Sequence, residues 1–207
     1  MLCKWPGLTS YYKDEQHSFY NCPNCFGLSR DPKTFLSTTA EKARYLTHNN
    51  DVNDPGYQKF VAPLVDQVTQ HFNADSSIGL DYGAGTGPVI AKLLEEKAYN
   101  IALYDPFFHP NKKVLDTQYN FIVCCEVMEH FYDPYSEFKK LRALLLAGGK
   151  LICKTDLYAT DLDFGNWYYK NDPSHVFIYH RNTLSWIQEH FGFATLTLNN
   201  RTLVLGL

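Results

Sequence analysis

Three glycines alternate in Gly83-Ala84-Gly85-Thr86-Gly87, placed between the apolar run Ile78–Tyr82 and a proline, Pro88. Proline is tolerated in the first turn of a helix, so the order reads as strand, glycine loop, helix. Glycine there lets the backbone turn tightly and approach a ligand with no side chain in the way. Short apolar runs then alternate with helical segments, the pattern of parallel strands joined by crossover helices. Strands are expected at Ile78–Tyr82, Asn100–Tyr104, around Val114, at 121–125 and at 150–154, with helices starting near Pro88 and Pro134. Helix Arg181–Phe191 precedes two closing runs, 194–198 and 202–205, which read as an antiparallel hairpin turning at Asn199-Asn200-Arg201.

Upstream, Ser37 is a candidate N-cap for a short helix over 38–48, and Phe60, Val61, Leu64, Val65, Val68 and Phe72 recur at helical spacing. The first 32 residues show no useful periodicity and contain the knuckle-like turn Cys22-Pro23-Asn24-Cys25. The expected organisation is a cysteine-knuckle appendage over 1–36, a helical cap over 37–74 and an α/β domain over 75–207. With 207 residues, 45% of them hydrophobic and 20% charged, the chain can bury one substantial core. The net charge of -3, with no Lys/Arg run, argues against nucleic acid as a partner. No apolar run approaches the ~20 residues that cross a bilayer, and Met1-Leu2-Cys3-Lys4-Trp5-Pro6 has no signal-type apolar segment, so a cytoplasmic location without membrane contact is expected.

A glycine loop of this kind also serves dinucleotide enzymes, and the flanking carboxylates discriminate. Asp81, immediately before the loop, would repel a pyrophosphate and attract an ammonium group. Asp105, ending the second strand, stands where a carboxylate accepts both hydroxyls of a ribose. An amino-acid-bearing nucleoside satisfies both, whereas NAD is disfavoured by Asp81.

On these residues the chain resembles the class I S-adenosylmethionine-dependent methyltransferases. Leu80-Asp81-Tyr82-Gly83-Ala84-Gly85-Thr86-Gly87 is similar to their first motif, Leu103-Tyr104-Asp105-Pro106 to the second, and residues 144–151 to the turn into their fifth strand. The resemblance implies a Rossmann-like doubly wound sheet of seven strands, the last antiparallel, with S-adenosylmethionine as cofactor. It further implies that Asp81, Gly83, Gly85 and Gly87 hold the methionine end and Asp105 the ribose, with Cys124, Cys125 and Glu126 bordering the transferring methyl. A closer resemblance is to a bacterial-type subgroup with an N-terminal cysteine knuckle. It rests on Cys125-Glu126-Val127-Met128-Glu129-His130-Phe131, Asp172-Pro173-Ser174-His175-Val176 and Arg44-Tyr45-Leu46-Thr47-His48-Asn49. Tyr45 and His48, one helical turn apart, would cap the cofactor.

Methyl transfer from a sulfonium needs positioning and exclusion of water, and a hydroxyl acceptor must also lose a proton. His130 and His175 are the candidate catalytic groups. The same imidazoles with Glu126 and Glu129 form a set able to bind a divalent cation. That arrangement resembles the metal site of small-RNA ribose 2'-O-methyltransferases. Cys22 and Cys25 have zinc-knuckle spacing with Cys3 and His17 as the nearby additions, although a closed zinc site takes four ligands. Cys124, Cys125 and Cys153 sit in apolar runs as small core residues. The aromatic stretch from Tyr158 to Tyr179 either packs a loop or lines a pocket for an organic molecule. The leading expectation is a methyltransferase acting at oxygen on a small or carrier-borne acceptor. The alternatives are an RNA ribose methyltransferase, an NAD-dependent oxidoreductase and a noncatalytic binding module.

Overall fold

The computed structural model describes residues 1–48 and 50–207, so Asn49 of the Arg44–Asn49 motif lies outside the described residues. Strands β1 (Thr9–Lys13), β2 (Ser18–Asn21) and β3 (Leu28–Arg30) come first, where the sequence shows no periodicity. Helix α1 (Thr38–Tyr45) starts on Ser37, whose hydroxyl accepts from the Ala40 N–H. Helix α2 (Pro55–His71) starts on Asp54 with proline at its first position. Then come β4 (Ile78–Tyr82), α3 (Val89–Glu95), β5 (Asn100–Tyr104), β6 (Tyr119–Cys125), α4 (Pro134–Ala143) and β7 (Leu145–Lys154). The chain closes with β8 (Leu157–Tyr158), β9 (Phe177–His180), α5 (Arg181–Phe191), β10 (Thr195–Asn199) and β11 (Thr202–Gly206).

The main sheet has six strands in the order β10-β11-β7-β6-β4-β5. Strands β7, β6, β4 and β5 are parallel, and the closing hairpin adds β11 antiparallel to β7. Among the described residues the sheet has one strand fewer than the seven expected. The run around Val114 is a 3-10 turn, Lys112–Asp116, capped by Asn111. A further parallel strand needs a crossover of a dozen or more residues, and the stretch after Tyr104 is short and carries Pro106 and Pro110. Strand β5 therefore stands at the edge.

Alternation along β6 builds both cores. Phe121 and Val123 pack with α2 and α3, whereas Ile122 and Cys124 face the side of α4 and α5. Phe121, Leu64, Leu80 and Leu141 are fully buried, each worth about 1.5–3 kcal/mol relative to exposure. Cys124 and Cys153 are buried in the core, as read from their apolar runs.

A second sheet, β1-β2-β3-β9-β8, joins the N-terminal strands to the segment between β7 and α5. Leu28 and Ser29 pair with Ile178 and Phe177, so residues 1–36 share a sheet with the segment before α5 instead of standing apart. Phe19, Leu28, Tyr158, Phe164, Trp167, Tyr169 and Ile178 form its core. Most of the aromatic stretch thus packs this lobe, and Tyr168 and Tyr169 also reach the cavity described next.

Candidate functional site

A cavity of about 950 Å³ opens over the carboxyl ends of β4, β5 and β6, the position where open α/β sheets bind ligands. Its floor is the glycine loop. Gly83 has φ 84° and a Cβ there would stand 2.4 Å from Val127, so no other residue fits without displacement. The Gly83 and Ala84 N–H groups both donate to the Tyr104 carbonyl, tying the loop to the end of β5. Gly87 passes so close to the 50–52 segment that a Cβ would lie 1.8 Å from the Asn50 carbonyl oxygen.

Asp105 is held by three backbone donors: Gly85 N–H to Oδ2 at 3.1 Å, and Phe107 and Phe108 N–H to Oδ1 at 2.8 and 3.0 Å. A carboxylate has about four lone-pair sites, so capacity remains on the side that lines the cavity. Asp81 is placed differently from expectation. It points back beneath the loop, accepts from the Ala91 N–H of α3, and does not line the cavity. Burial pushes its carboxyl up to about 7, the nearby Asp105 adding to the rise. Strand alternation explains this, because Asp81 and Tyr82 face opposite sides and Tyr82 is the one turned to the cavity. Cys124 is likewise sealed in the core, whereas Cys125 lines the cavity.

Beyond β6 the chain turns sharply at Glu126, a non-glycine residue at φ 52°, a strained conformation of the kind that clusters at functional sites. Glu126 Oε2 accepts from Arg201 at 2.7 Å, while its Oε1 is buried with no hydrogen-bond partner among the described residues. The following 3-10 turn, Met128–His130, brings in Glu129 and His130. Glu129 is fully buried and accepts from the hydroxyls of Tyr169 at 2.6 Å and Thr155 at 3.0 Å. Burial raises Glu129 to about 7 and Glu126 to about 8.

His130 and His175 come together with ring centroids 5.0 Å apart, and both line the cavity. Each Nδ1 lies against a backbone carbonyl, Ser174 at 2.9 Å for His130 and Tyr169 at 2.8 Å for His175. That contact fixes Nδ1 as the protonated nitrogen and leaves Nε2 with a free lone pair. Burial lowers both imidazoles, His175 to about 3, so both are neutral near pH 7. Glu129, His130 and His175 each offer a ligand atom within 4.8 Å of the others. Glu126, expected to join them, is not in that group and pairs instead with Arg201.

Helix α1 closes the site from above. Tyr45 stands edge-on to His130 at 5.4 Å and near Phe107 at 5.8 Å, and His48 lies 6.2 Å from Tyr45. Arg44 donates to Asp172 at 2.8 Å, joining the helix to the loop that carries His175. Sequence reasoning missed Glu41, Tyr132, Tyr169 and Arg30. The aromatic stretch hinted at Tyr169, and no pattern marks Arg30.

Away from the cavity, Cys3, Cys22 and Cys25 offer thiols within 4.8 Å of one another, with Cys3 and Cys22 Sγ 3.2 Å apart. Burial pushes the Cys25 thiol up. His17 is not part of this group: it pairs with Asp14 in the β1–β2 turn, at the far end of that hairpin from Cys22.

The cavity fits a nucleoside with an amino-acid tail. Asp105 has acceptor capacity for ribose hydroxyls, and the loop through Gly83, Ala84 and Gly85 presents backbone to the cavity. Residues 56–198 match the family model described as methyltransferase domain. The chain therefore belongs to the methyltransferase domain family, the S-adenosylmethionine-dependent class that its motifs resemble. No curated protein matches it in sequence. Among solved structures it is similar to the 1,6-didemethyltoxoflavin-N1-methyltransferase of Burkholderia thailandensis, with 16% identity, 95% of this chain and 97% of that one covered, and a TM-score of 0.54. It is also similar to a SAM-dependent methyltransferase from Archaeoglobus fulgidus (14% identity, 72% and 94% covered, TM-score 0.54). An O-methyltransferase family protein from Burkholderia thailandensis is similar over 80% of this chain and 61% of its own (11% identity, TM-score 0.54). Among the described residues no helix is long and apolar enough to cross a membrane.

Proposed function

We propose that the protein methylates an oxygen nucleophile on a small or carrier-borne organic acceptor. S-adenosylmethionine, when bound, supplies a methyl group on a sulfonium that leaves as a neutral sulfide. Asp105 and the loop through Gly83 and Gly85 hold the nucleoside, and Cys125 and Glu126 border the methyl. His130 and His175 face the acceptor. The observation that carries this reading is their convergence 5.0 Å apart in the wall of the cavity that also holds Asp105. With Nδ1 engaged by carbonyls and both rings neutral, an Nε2 lone pair is available to take the hydroxyl proton. Tyr45 and His48 cover the site and exclude water. The 1,6-didemethyltoxoflavin bound to the Burkholderia thailandensis neighbour supports a small-molecule acceptor.

The test is turnover of His130→Ala and His175→Ala beside their affinity for S-adenosylhomocysteine. Lost turnover with affinity kept supports the assignment, and unchanged turnover removes both from the acceptor side.

A second reading is favoured by the proximity of Glu129, His130 and His175, whose ligand atoms suit a divalent cation. Their outer partners, Thr155, Tyr169 and two backbone carbonyls, orient them as groups around bound metals are oriented. Activity abolished by a chelator and restored by added metal would select it over the proton-transfer role.

A further inference from the structure

Glu41, in the first turn of α1, is buried yet lines the same cavity. Its Oε1 accepts from the Tyr45 hydroxyl at 2.7 Å and its Oε2 from the Tyr132 hydroxyl at 3.2 Å. Among the described residues no Lys, Arg or His forms an ion pair with it. Of the two cations on the helix, Lys42 lies over the Phe108 ring at 6.0 Å and Arg44 gives its guanidinium to Asp172 and Thr47. A buried carboxylate without a cationic partner is costly to keep. Each phenol has a single proton; Tyr45 directs it to Glu41, and Tyr132 has Glu41 at 3.2 Å and the Leu36 carbonyl at 3.5 Å as acceptors, so the cluster offers a ligand only acceptor lone pairs and aromatic faces. That surface complements a positive charge and repels an anion. It lies beside His130, whose ring Tyr45 meets edge-on at 5.4 Å.

We propose that Glu41, with Tyr45 and Tyr132, forms a subsite for a protonated amine of the acceptor. The subsite rests on the methyl-transfer reading above and narrows it: the acceptor carries a cationic nitrogen as well as its nucleophile. The amine donates N–H to the free lone pairs of Glu41 and lies against the ring of Tyr45. A sulfonium has the same charge, so the donor is the other source of a cation here.

Binding of tyramine and of its neutral counterpart 4-ethylphenol, measured by NMR titration with the donor end filled by S-adenosylhomocysteine, tests the subsite. The wild type should prefer tyramine. Glu41→Gln should lose about tenfold in tyramine affinity, with 4-ethylphenol unchanged, as expected for one charge-assisted contact. Glu41→Asp, which keeps the charge, should retain the preference, and the ratio of S-adenosylmethionine to S-adenosylhomocysteine affinity should be the same in all three proteins. No preference in the wild type, or equal losses for both probes in Glu41→Gln, would overturn the subsite. A selective loss of S-adenosylmethionine affinity in Glu41→Gln would also overturn it, by assigning the carboxylate to the sulfonium. Failure of the wild type to bind S-adenosylhomocysteine would count instead against the methyltransferase reading beneath it.

Discussion

Arg30, at the end of β3, donates from Nε to the carbonyl of His175 at 2.9 Å, across 145 residues of sequence. Its Nη2 donates to the carbonyls of Lys170 at 2.6 Å and Asp172 at 2.9 Å, and its guanidinium lies 4.8 Å from the centre of the Phe19 ring. The N-terminal strands thus hold the loop on which His175 sits.

Replacing Arg30 with Met leaves the buried carbonyls of His175 and Lys170 without this donor, while that of Asp172 keeps the His175 N–H. Hydrogen bonds to a charged group contribute about 1.5–3 kcal/mol each and are not additive, so a loss on the order of 3–5 kcal/mol is expected. Urea unfolding checks it. Turnover should fall further than unfolding explains, measured at a urea-free temperature where the variant remains folded. A variant as stable and active as the wild type would show that the clamp does not position His175.

Asp105→Ala should weaken S-adenosylhomocysteine binding ten- to a hundred-fold, about 1.5–3 kcal/mol for the lost charge-assisted contacts. Because the same carboxylate also accepts from Gly85, part of the loss comes through the loop. Calorimetric titration on a variant with native circular dichroism measures it, and unchanged affinity removes Asp105 from the site.

Asp81 predicts a pH dependence of stability. Its carboxyl stands at about 7 in the folded chain against 3.8 when exposed, so between those values the unfolded chain ionises first and binds fewer protons. Stability from this group is full below pH 4 and is lost as pH rises through 7. Asp81→Asn removes the effect and keeps an acceptor for the Ala91 N–H. The gap between variant and wild type in unfolding free energy should widen from pH 5 to pH 8, in favour of the variant, by about 3 kcal/mol, the remainder of the shift falling below pH 5. A constant gap would mean that Asp81 is ionised throughout.

Gly87→Ala should reduce donor affinity by displacing the segment at Asn50, because the added Cβ would overlap its carbonyl at 1.8 Å. Titration with S-adenosylhomocysteine reads this, and an affinity equal to wild type would show that the segment yields freely.

How much of this was legible in the sequence follows from how local each signal is. The strand-loop-helix at Ile78–Pro88 carries its own glycines and proline, so the loop and the parallel strands around it could be read directly, although their order across the sheet could not. The direction of Asp81 could not, since packing beneath α3 decides which of two adjacent side chains, Asp81 or Tyr82, meets the cavity. Val114 looked like a strand because it is apolar, yet the connection around it is too short and proline-bound to return to the sheet. The N-terminal strands escaped notice because their partner, β9, lies some 150 residues away and supplies the pairing that local periodicity lacks. His130 and His175 were matched by motif, but their shared wall depends on Arg30 and on the carbonyls of Tyr169 and Ser174, which are backbone groups that leave no mark in sequence.

The central claim is that one cavity holds the donor on Asp105 and presents its sulfur to His130 and His175. A crystal structure of the protein soaked with S-adenosylhomocysteine tests it most directly. The account predicts ribose hydroxyls on the Asp105 carboxylate and the sulfur facing the two imidazoles. A ligand whose ribose lies away from Asp105, or whose sulfur faces the opposite side of the cavity from His130 and His175, would contradict it.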